Sequence, residues 1–395
     1  MTSSSSPSGV PSASPSVAPS VLDSMVTPAD AEGPAAQMLS GAVQGFVNGA
    51  AGDGLTLRAN RAAFDQVHLV PRVLADVSAT SAAGRLLGRP SDLPVAVAPM
   101  AYQRAVHEGG ELAVAEAARD SGVPFTVSTF SSHTVEEIAA VGGTLWFQLY
   151  WMRSRERTME LVRRAEAAGC AALMLTVDTP RMGRRPADLR GGFTLPDGVT
   201  AAHFERHDDG RAGTGTGLPG DSEIAAQTAT LVDPSLSWAD IEWLRERTSM
   251  PLILKGILDP ADAGRAVRCG VDALVVSNHG GRQLDGALPS LRALPAVAEA
   301  VAGRCEVLLD SGVRSGTDIL KALALGASGV LLGRPVLWGL GAAGGEGAAR
   351  VLRLFGEELE HAMALSGCPD LAAVARLRSV PGPGAPAGPI PGGAR

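Results

Sequence analysis

Side chains able to do chemistry recur at the ends of short apolar runs along this chain. Gln148 and Tyr150 close one run, and Thr176 and Asp178 the next. Lys255 sits late in another. Ser277, Asn278 and His279 end a further one, Asp310 follows it, and Gly333-Arg334 comes last. Taken singly, each is as readily an ordinary surface residue. A nearly complete ring of them points to one convergent polar site, because buried charges need partners or a ligand. Histidine is the side chain whose ordinary pKa lies near working pH, so His279 is either a proton carrier or a surface histidine. The stretch Asp310-Ser311-Gly312-Val313-Arg314-Ser315-Gly316, together with Gly333-Arg334, has a different chemistry. Small residues let backbone N–H groups approach an anion at a helix N-terminus, and the arginines add charge. The anion fits either a phosphorylated substrate or a phosphorylated cofactor.

Eight apolar runs rich in β-branched residues would position these groups: LPVAVAPM (93–100), PFTVSTF (124–130), TLWFQLY (144–150), AALMLTVD (171–178), PLILKGIL (251–258), ALVVSNHG (273–280), CEVLLDSG (305–312) and GVLLGRPV (329–336). Helical punctuation fills the gaps. Thr134-x-x-Glu137 is a capping box, Asp259-Pro260 an N-cap with proline at the first helical position, and Gly326 a C′ glycine closing Asp318–Leu325. Ser237-Trp238 opens a helix with Trp238, Ile241 and Leu244 on one stripe. Strands and helices that alternate, with strands buried on both faces, predict a parallel sheet. Eight units favour a (β/α)₈ TIM barrel, whose chemistry lies at the C-terminal strand ends. The alternative, an open doubly wound sheet, usually shows G-x-G-x-x-G after its first strand, and none follows Met100.

Of 395 residues, 45% are hydrophobic, 19% charged and 4% aromatic, which is a globular composition. A net charge of −7 without a basic block argues against a nucleic-acid partner. Cys170, Cys269, Cys305 and Cys368 lie far apart, which suits neither a disulfide framework nor a metal site and makes a reducing cytoplasm the expected compartment. No run is long enough to span a bilayer; Gly329 to Leu340 is short and holds Arg334 and Pro335. No secretory signal opens the chain. Residues 1–33, rich in Ser, Pro and Ala, read as a disordered leader. Residues 34–380 read as the barrel, and 381–395 as a loose Pro/Gly-rich tail. The aperiodic stretch 196–233 reads as a functional lid after strand four. Five other histidines, His107, His133, His203, His207 and His361, read as surface or loop residues. The five tryptophans (146, 151, 238, 243 and 338) read as packing.

Ser277-Asn278-His279-Gly280-Gly281-Arg282-Gln283-Leu284-Asp285 resembles the signature of the FMN-dependent α-hydroxy-acid oxidases and dehydrogenases, the group of glycolate oxidase, lactate oxidase and mandelate dehydrogenase. Supporting motifs follow in the family's order: Gly49-Ala50, Thr56-Leu57 with Asn60, Ala98-Pro99-Met100-Ala101, Phe147-Gln148-Leu149-Tyr150, Leu175-Thr176-Val177-Asp178-Thr179-Pro180, Gly183-Arg184-Arg185, Leu254-Lys255-Gly256, Asp310 to Arg314, and Leu332-Gly333-Arg334-Pro335. The resemblance runs from about Leu39 to Gly367. It implies an FMN-binding barrel that oxidises a 2-hydroxy acid, with oxygen or another electron acceptor as second partner, in a homo-oligomer, often a tetramer.

The resemblance also implies roles. His279 is the active-site base, and Asp178 orients it. Arg282 and Arg185 bind the substrate carboxylate, with Arg185 on the mobile loop four. Tyr150 contacts the substrate hydroxyl or carboxylate. Lys255 lies beside the flavin N1–C2=O edge, while Gln148, Thr176 and Ser277 bond other edges. Ser128 and the backbone of Pro99, Met100 and Ala101 lie on the N5 side. Asp310, Gly312, Arg314, Gly333 and Arg334 hold ribityl and phosphate. Asp285 reads as a structural partner closing the Arg282 loop.

Two departures from the family pattern stand out. Phe46 occupies the place of a usual tyrosine that bonds the carboxylate, and Ser311 that of a usual glycine. Serine there is tolerated if its φ is negative. Phe46, Phe130 and Tyr102, read as walls of one pocket, favour an aryl or bulky apolar (S)-2-hydroxy acid, such as mandelate or 4-hydroxymandelate, over lactate or glycolate. The residues around Ala98–Gln103 and Ser128–Phe130 resemble the hydroxymandelate oxidase branch. Three competing readings are a Schiff-base lyase on Lys255, an FMN barrel isomerase of the type 2 isopentenyl diphosphate class, and a non-enzymatic anion-binding scaffold.

Overall fold

The computed structural model describes residues 20–204 and 223–382. Its centre is a closed barrel of eight parallel strands. They are β1 (Val95–Val97), β2 (Phe125–Val127), β3 (Leu145–Leu149), β4 (Ala172–Thr176), β5 (Leu252–Ile257), β6 (Ala273–Val276), β7 (Glu306–Leu309) and β8 (Gly329–Leu332), and β8 pairs with β1 to close the ring. All eight lie inside the runs expected from sequence. The helices that follow them in turn are α1 (Gly110–Asp120), α2 (Val135–Val141), α3 (Arg155–Ala167), α4 (Trp238–Arg245), α5 (Pro260–Arg268), α6 (Ser290–Val301), α7 (Gly316–Ala324) and α8 (Arg334–Leu365). The expected caps are present: the Thr134/Glu137 box opens α2, Asp259 caps α5, and Ser237 opens α4.

The period-2 geometry of strands builds the site. One inner layer of the barrel packs Trp146, Met174, Ile253, Val275, Leu308 and Leu331 together, plugged from below by Leu86 of the Gly84–Leu86/Arg89–Ser91 ribbon. Alternate residues of a strand share a face. The inward positions two residues further on are therefore Gln148, Thr176, Lys255, Ser277, Asp310 and Gly333, and all of these but Ser277 line the cavity above that layer. The opposite strand faces, among them Phe125, Phe147, Leu173 and Leu254, pack against the helical ring.

Three stretches depart from the sequence reading. Residues 20–33 are helical rather than disordered: Val21–Ser24, a 3₁₀ turn Pro28–Ala31, and the start of Glu32–Met38 pack against α8. Composition hid two local devices, the Ser20/Asp23 capping box and the Asp30 carboxylate, which accepts the N–H groups of Val26 (3.0 Å) and Thr27 (2.7 Å). Met25 and Ala31 are fully buried, so burial offsets the ordering entropy. Residues 1–19 lie outside the described part. In the tail, Ser379–Pro381 pairs antiparallel with Val67–Leu69, so Pro381 ends a strand; residues 383–395 are outside the description. Within the expected lid, residues 205–222 are likewise outside it, but Glu223–Leu231 is a helix. No helix among the described residues is long and apolar enough to cross a membrane.

Candidate active site

A cavity opens over the C-terminal ends of the strands. Of the strand-end residues expected at the site, Gln148, Tyr150, Thr176, Lys255, His279, Asp310, Gly333 and Arg334 line it, whereas Asp178, Ser277 and Asn278 do not; Pro99, Met100, Ala101 and Ser128 lie along its β1–β2 side.

His279 follows β6 on a 3₁₀ turn with φ of +60°, and Gly280 and Gly281 continue at +66° and +72°. A left-handed histidine is uncommon, and hydrogen bonds fix this one. Its N–H donates to Ser277 Oγ (3.0 Å), and Asn278 Oδ1 accepts from Gly281 N (3.1 Å). The Asn278 amide is itself locked in a reciprocal pair with Asn60, at 2.7 and 2.8 Å. The imidazole Nδ1 lies 2.9 Å from Asp178 Oδ1. An ionised carboxylate only accepts, so Nδ1 carries the proton and Nε2 is the free acceptor. Burial pulls the imidazole below the ordinary histidine range; Asp178 opposes this, while Lys255 and Arg185 add to it. Burial pushes Asp178 upward, but His279, Lys255 and Thr179 hold it net below the usual carboxylate range. Gly256 lets this pair form: at φ of +119°, a Cβ there would lie 2.5 Å from Asp178 Cβ.

Lys255, buried at the end of β5, is ion-paired with Asp310 Oδ2 (2.9 Å) and donates to Ser277 Oγ (3.1 Å). Burial alone would lower its pKa, yet Asp310 and Asp178 raise it above the ordinary lysine value, which favours the charged form. Gln148 donates through Nε2 to Thr176 Oγ1 (3.0 Å), while its Oε1 accepts the Thr129 N–H (3.1 Å). Ser311 has φ of +74°, contrary to the expectation of a negative value. Its hydroxyl donates to Asp310 Oδ1 (2.7 Å) and accepts the Gly280 N–H (2.8 Å), which explains how serine holds a glycine-like conformation.

The other side of the cavity is cationic. Arg185, Arg282, Arg314 and Arg334 all line it. Arg282 donates to Gly49 O (2.8 Å), and Arg334 to the carbonyls of Val47 (3.1 Å), Gly49 (3.0 Å) and Gly280 (3.0 Å). Burial first, then mutual repulsion, lowers their pKa values: Arg282 far down, Arg334 to about 9 and Arg314 to about 10. Guanidinium stays protonated in proteins, so these shifts describe cations in need of anions. Asp188, which the sequence reading missed, is buried nearby. Neither of its carboxylate oxygens has a hydrogen-bond partner among the described residues, and Arg185 Nη1 lies 4.0 Å away. Burial pushes this carboxyl upward.

The aromatic walls divide into two sets. Phe46 stacks on Phe193 (4.6 Å between centroids) with the Arg282 guanidinium over its ring at 5.7 Å. Phe130 packs against Tyr150 (5.5 Å), Tyr102 (6.2 Å) and Phe204 (5.7 Å). Phe46 therefore borders the arginine side, and Tyr102, Phe130 and Tyr150 form a wall of their own. Asp285 is structural, but it caps a helix instead of closing the Arg282 loop: its carboxylate accepts Asp53 N (2.9 Å) and Thr56 N (2.9 Å) ahead of Leu55–Asp65. His203 is buried rather than on the surface, with Nδ1 donating to Thr129 O (3.0 Å) and Nε2 accepting Val135 N–H (2.9 Å). His133 lies 3.0 Å from buried Glu111. His207 is outside the described residues. Gln283 joins loops four and six, bonding the carbonyls of Asp178 and Arg181 (both 2.9 Å) and the Gly183 N–H (2.9 Å).

The donor set suits a flavin mononucleotide: a buried lysine and amide edge deep in the barrel, then glycines and arginines where a phosphate would end. Residues 35–379 match the FMN-dependent dehydrogenase family. The chain is similar to 4-hydroxymandelate oxidase of Amycolatopsis orientalis, 51% identical over 356 residues, 90% of this chain and 98% of that protein. It is 48% identical to L-lactate oxidase of Nostoc sp. over 336 residues, 82% of this chain and 90% of the relative. The crystal structure of mandelate oxidase with (S)-4-hydroxymandelic acid superposes with a TM-score of 0.87 at 50% identity, covering 91% of this chain and 99% of that one.

Proposed function

The chain belongs to the FMN-dependent dehydrogenase family, and from that premise we propose that it oxidises an aryl or bulky apolar (S)-2-hydroxy acid, of the mandelate or 4-hydroxymandelate kind, to the 2-oxo acid. The observation that carries this reading is one cavity in which a carboxylate-held imidazole shares the lining with two buried arginines and an aromatic wall. Arg282 and Arg185 bind the substrate carboxylate, since a guanidinium fork matches it, and the anion relieves their mutual repulsion. Tyr102, Phe130 and Tyr150 take the aryl group. Tyr150 also reaches the substrate hydroxyl or carboxylate, with burial keeping its phenol protonated. His279 Nε2 accepts the substrate proton, and Asp178 stabilises the imidazolium that results.

FMN, when bound, supplies the two-electron acceptor. Gln148, Thr176, Ser277 and Lys255 would hold its ring edge, with Lys255 as a fixed cation near developing negative charge. Pro99, Met100, Ala101 and Ser128 would face the opposite edge. Asp310, Gly312, Arg314, Gly333 and Arg334 would hold ribityl and phosphate. A Schiff-base role for Lys255 runs against its ion pair with Asp310, since that chemistry needs a neutral amine. The buried thiols of Cys170, Cys269 and Cys368 suit a reducing cytoplasm, and we extend the reading to that compartment and to a homotetramer.

The test is anaerobic addition of S-mandelate, 4-hydroxymandelate, L-lactate and glycolate to the purified FMN-loaded protein while the visible spectrum is recorded. Bleaching by the aryl acids, and poorly by glycolate, is the expected result. Admitting air then distinguishes oxygen from another acceptor by the rate of recolouring. A flavin that none of the four acids bleaches would sink the substrate class.

A further inference from the structure

Ser311 lies in the loop after β7, within the glycine-rich anion stretch and on the cavity lining, but its side chain has no role assigned above. Its backbone, at φ of +74°, adopts a left-handed conformation that is strained for an L-residue and open to glycine. Its hydroxyl makes two close bonds, donating to Asp310 Oδ1 at 2.7 Å and accepting the Gly280 N–H at 2.8 Å. A longer contact, 3.4 Å, comes from the Asn278 N–H. Asp310 Oδ2 in turn holds Lys255 Nζ at 2.9 Å; Lys255 donates to Ser277 Oγ at 3.1 Å, and Ser277 Oγ accepts the His279 N–H at 3.0 Å. The contacts close a ring. The amides on the two sides of the left-handed His279–Gly280 step each rest on a serine hydroxyl, and both hydroxyls lead to the same lysine–aspartate pair.

We propose that Ser311 is a positioning residue for the base: its hydroxyl fixes the Gly280 amide, and through it the direction in which His279 meets Asp178. The proposal rests on His279 being the base. Loss of the hydroxyl loosens the turn, lengthens the His279–Asp178 bond and leaves Lys255 and Arg185, the other charges acting on this imidazole, less opposed. The imidazolium is then less favoured, so His279 titrates at lower pH.

The test is Ser311→Gly, which the backbone conformation accommodates, with Ser311→Ala as the variant that keeps the strain and loses the hydroxyl. Three measurements are needed on each: the pH profile of kcat/KM with S-mandelate, the titration of His279 in the substrate-free holoenzyme by NMR of ¹³C-labelled histidine, and FMN affinity by fluorescence titration of apoprotein. Loss of one such bond is expected to lower kcat about threefold to tenfold, with KM nearly unchanged because the arginines are untouched. The acid limb and the NMR titration should move together to lower pH in both variants. An unchanged titration of His279 overturns the proposal, including the case in which only FMN affinity falls, which would make Ser311 a cofactor-loop residue. A wild-type protein that reduces its flavin with no 2-hydroxy acid sinks the functional reading instead, and the NMR comparison still decides the role of Ser311.

Discussion

The two sides of the cavity are built on opposite principles. Around His279, Lys255 and Asp310, most polar atoms have a partner inside the protein, the buried Oδ2 of Asp178 being an exception. The ring through Ser277 and Ser311 holds those side chains before any ligand arrives. Around Arg185, Arg282 and Arg334, charge is left unbalanced: the guanidinium groups rest on carbonyls and repel one another, and Arg185 and Arg282 share a carboxylate, Asp188, that makes no hydrogen bond among the described residues. The first arrangement suits groups that must be aimed before they react. The second suits groups whose missing partner is the ligand, so that binding itself supplies the compensation.

This contrast predicts different kinetic signatures when each side is broken. His279→Gln removes the proton acceptor and should lower kcat about 10²–10⁴-fold while leaving substrate-analogue affinity nearly intact; stopped-flow flavin reduction measures it, and a kcat within about tenfold of wild type would remove His279 from the base role. Arg282→Met removes a charged contact to the carboxylate, a loss of about 1.5–3 kcal/mol. KM should rise roughly tenfold to a hundredfold, with a smaller effect on the reduction rate at saturation. An unchanged KM would mean that Arg185 alone carries the anion. In the wild type, kcat/KM should fall on acidification through a pKa below the ordinary imidazole value of about 6.5, because the burial that depresses His279 disfavours only its protonated, inactive form. A limb above that value would indicate that Asp178 outweighs burial. The smallest effect is expected from Phe46→Tyr. It adds a hydroxyl beside Arg282 on the unbalanced side, and a net hydrogen bond is worth about 0.5–1.5 kcal/mol. KM should fall about twofold to tenfold for small hydroxy acids, and a rise would mean that the Phe46–Phe193 stack, rather than the missing hydroxyl, sets affinity.

Much of the paired side was legible because strand periodicity is local. Once Trp146, Met174, Ile253, Val275 and Leu308 were inward, the residues two positions on had to be inward too, and these are Gln148, Thr176, Lys255, Ser277 and Asp310. The placing of Gly333-Arg334 and the Asp310–Arg314 stretch on the cavity lining was legible for a similar reason, since helix N-termini follow strands at fixed short spacings. Asp188 was not legible. It sits on a short helix after Pro186, with no periodic signal, and its interest comes from burial near arginines distant in sequence. Nor was the helical fold of residues 20–33: Ser, Pro and Ala are as common in caps and turns as in disordered leaders, and only docking on α8 decides between them.

By itself, then, the sequence determined the strand count, the polar strand ends, the motifs that carry the family, and the chemical types present at the site. Those depend on residue identity at short spacing. Only the tertiary structure decided which hydroxyl meets which amide, that Ser311 takes a positive φ, that Phe46 borders the arginines rather than the Phe130 wall, and that His203 is buried. Each depends on where separate loops come to rest against one another, and a loop's conformation is set by the long-range hydrogen bonds it finds once the barrel has closed.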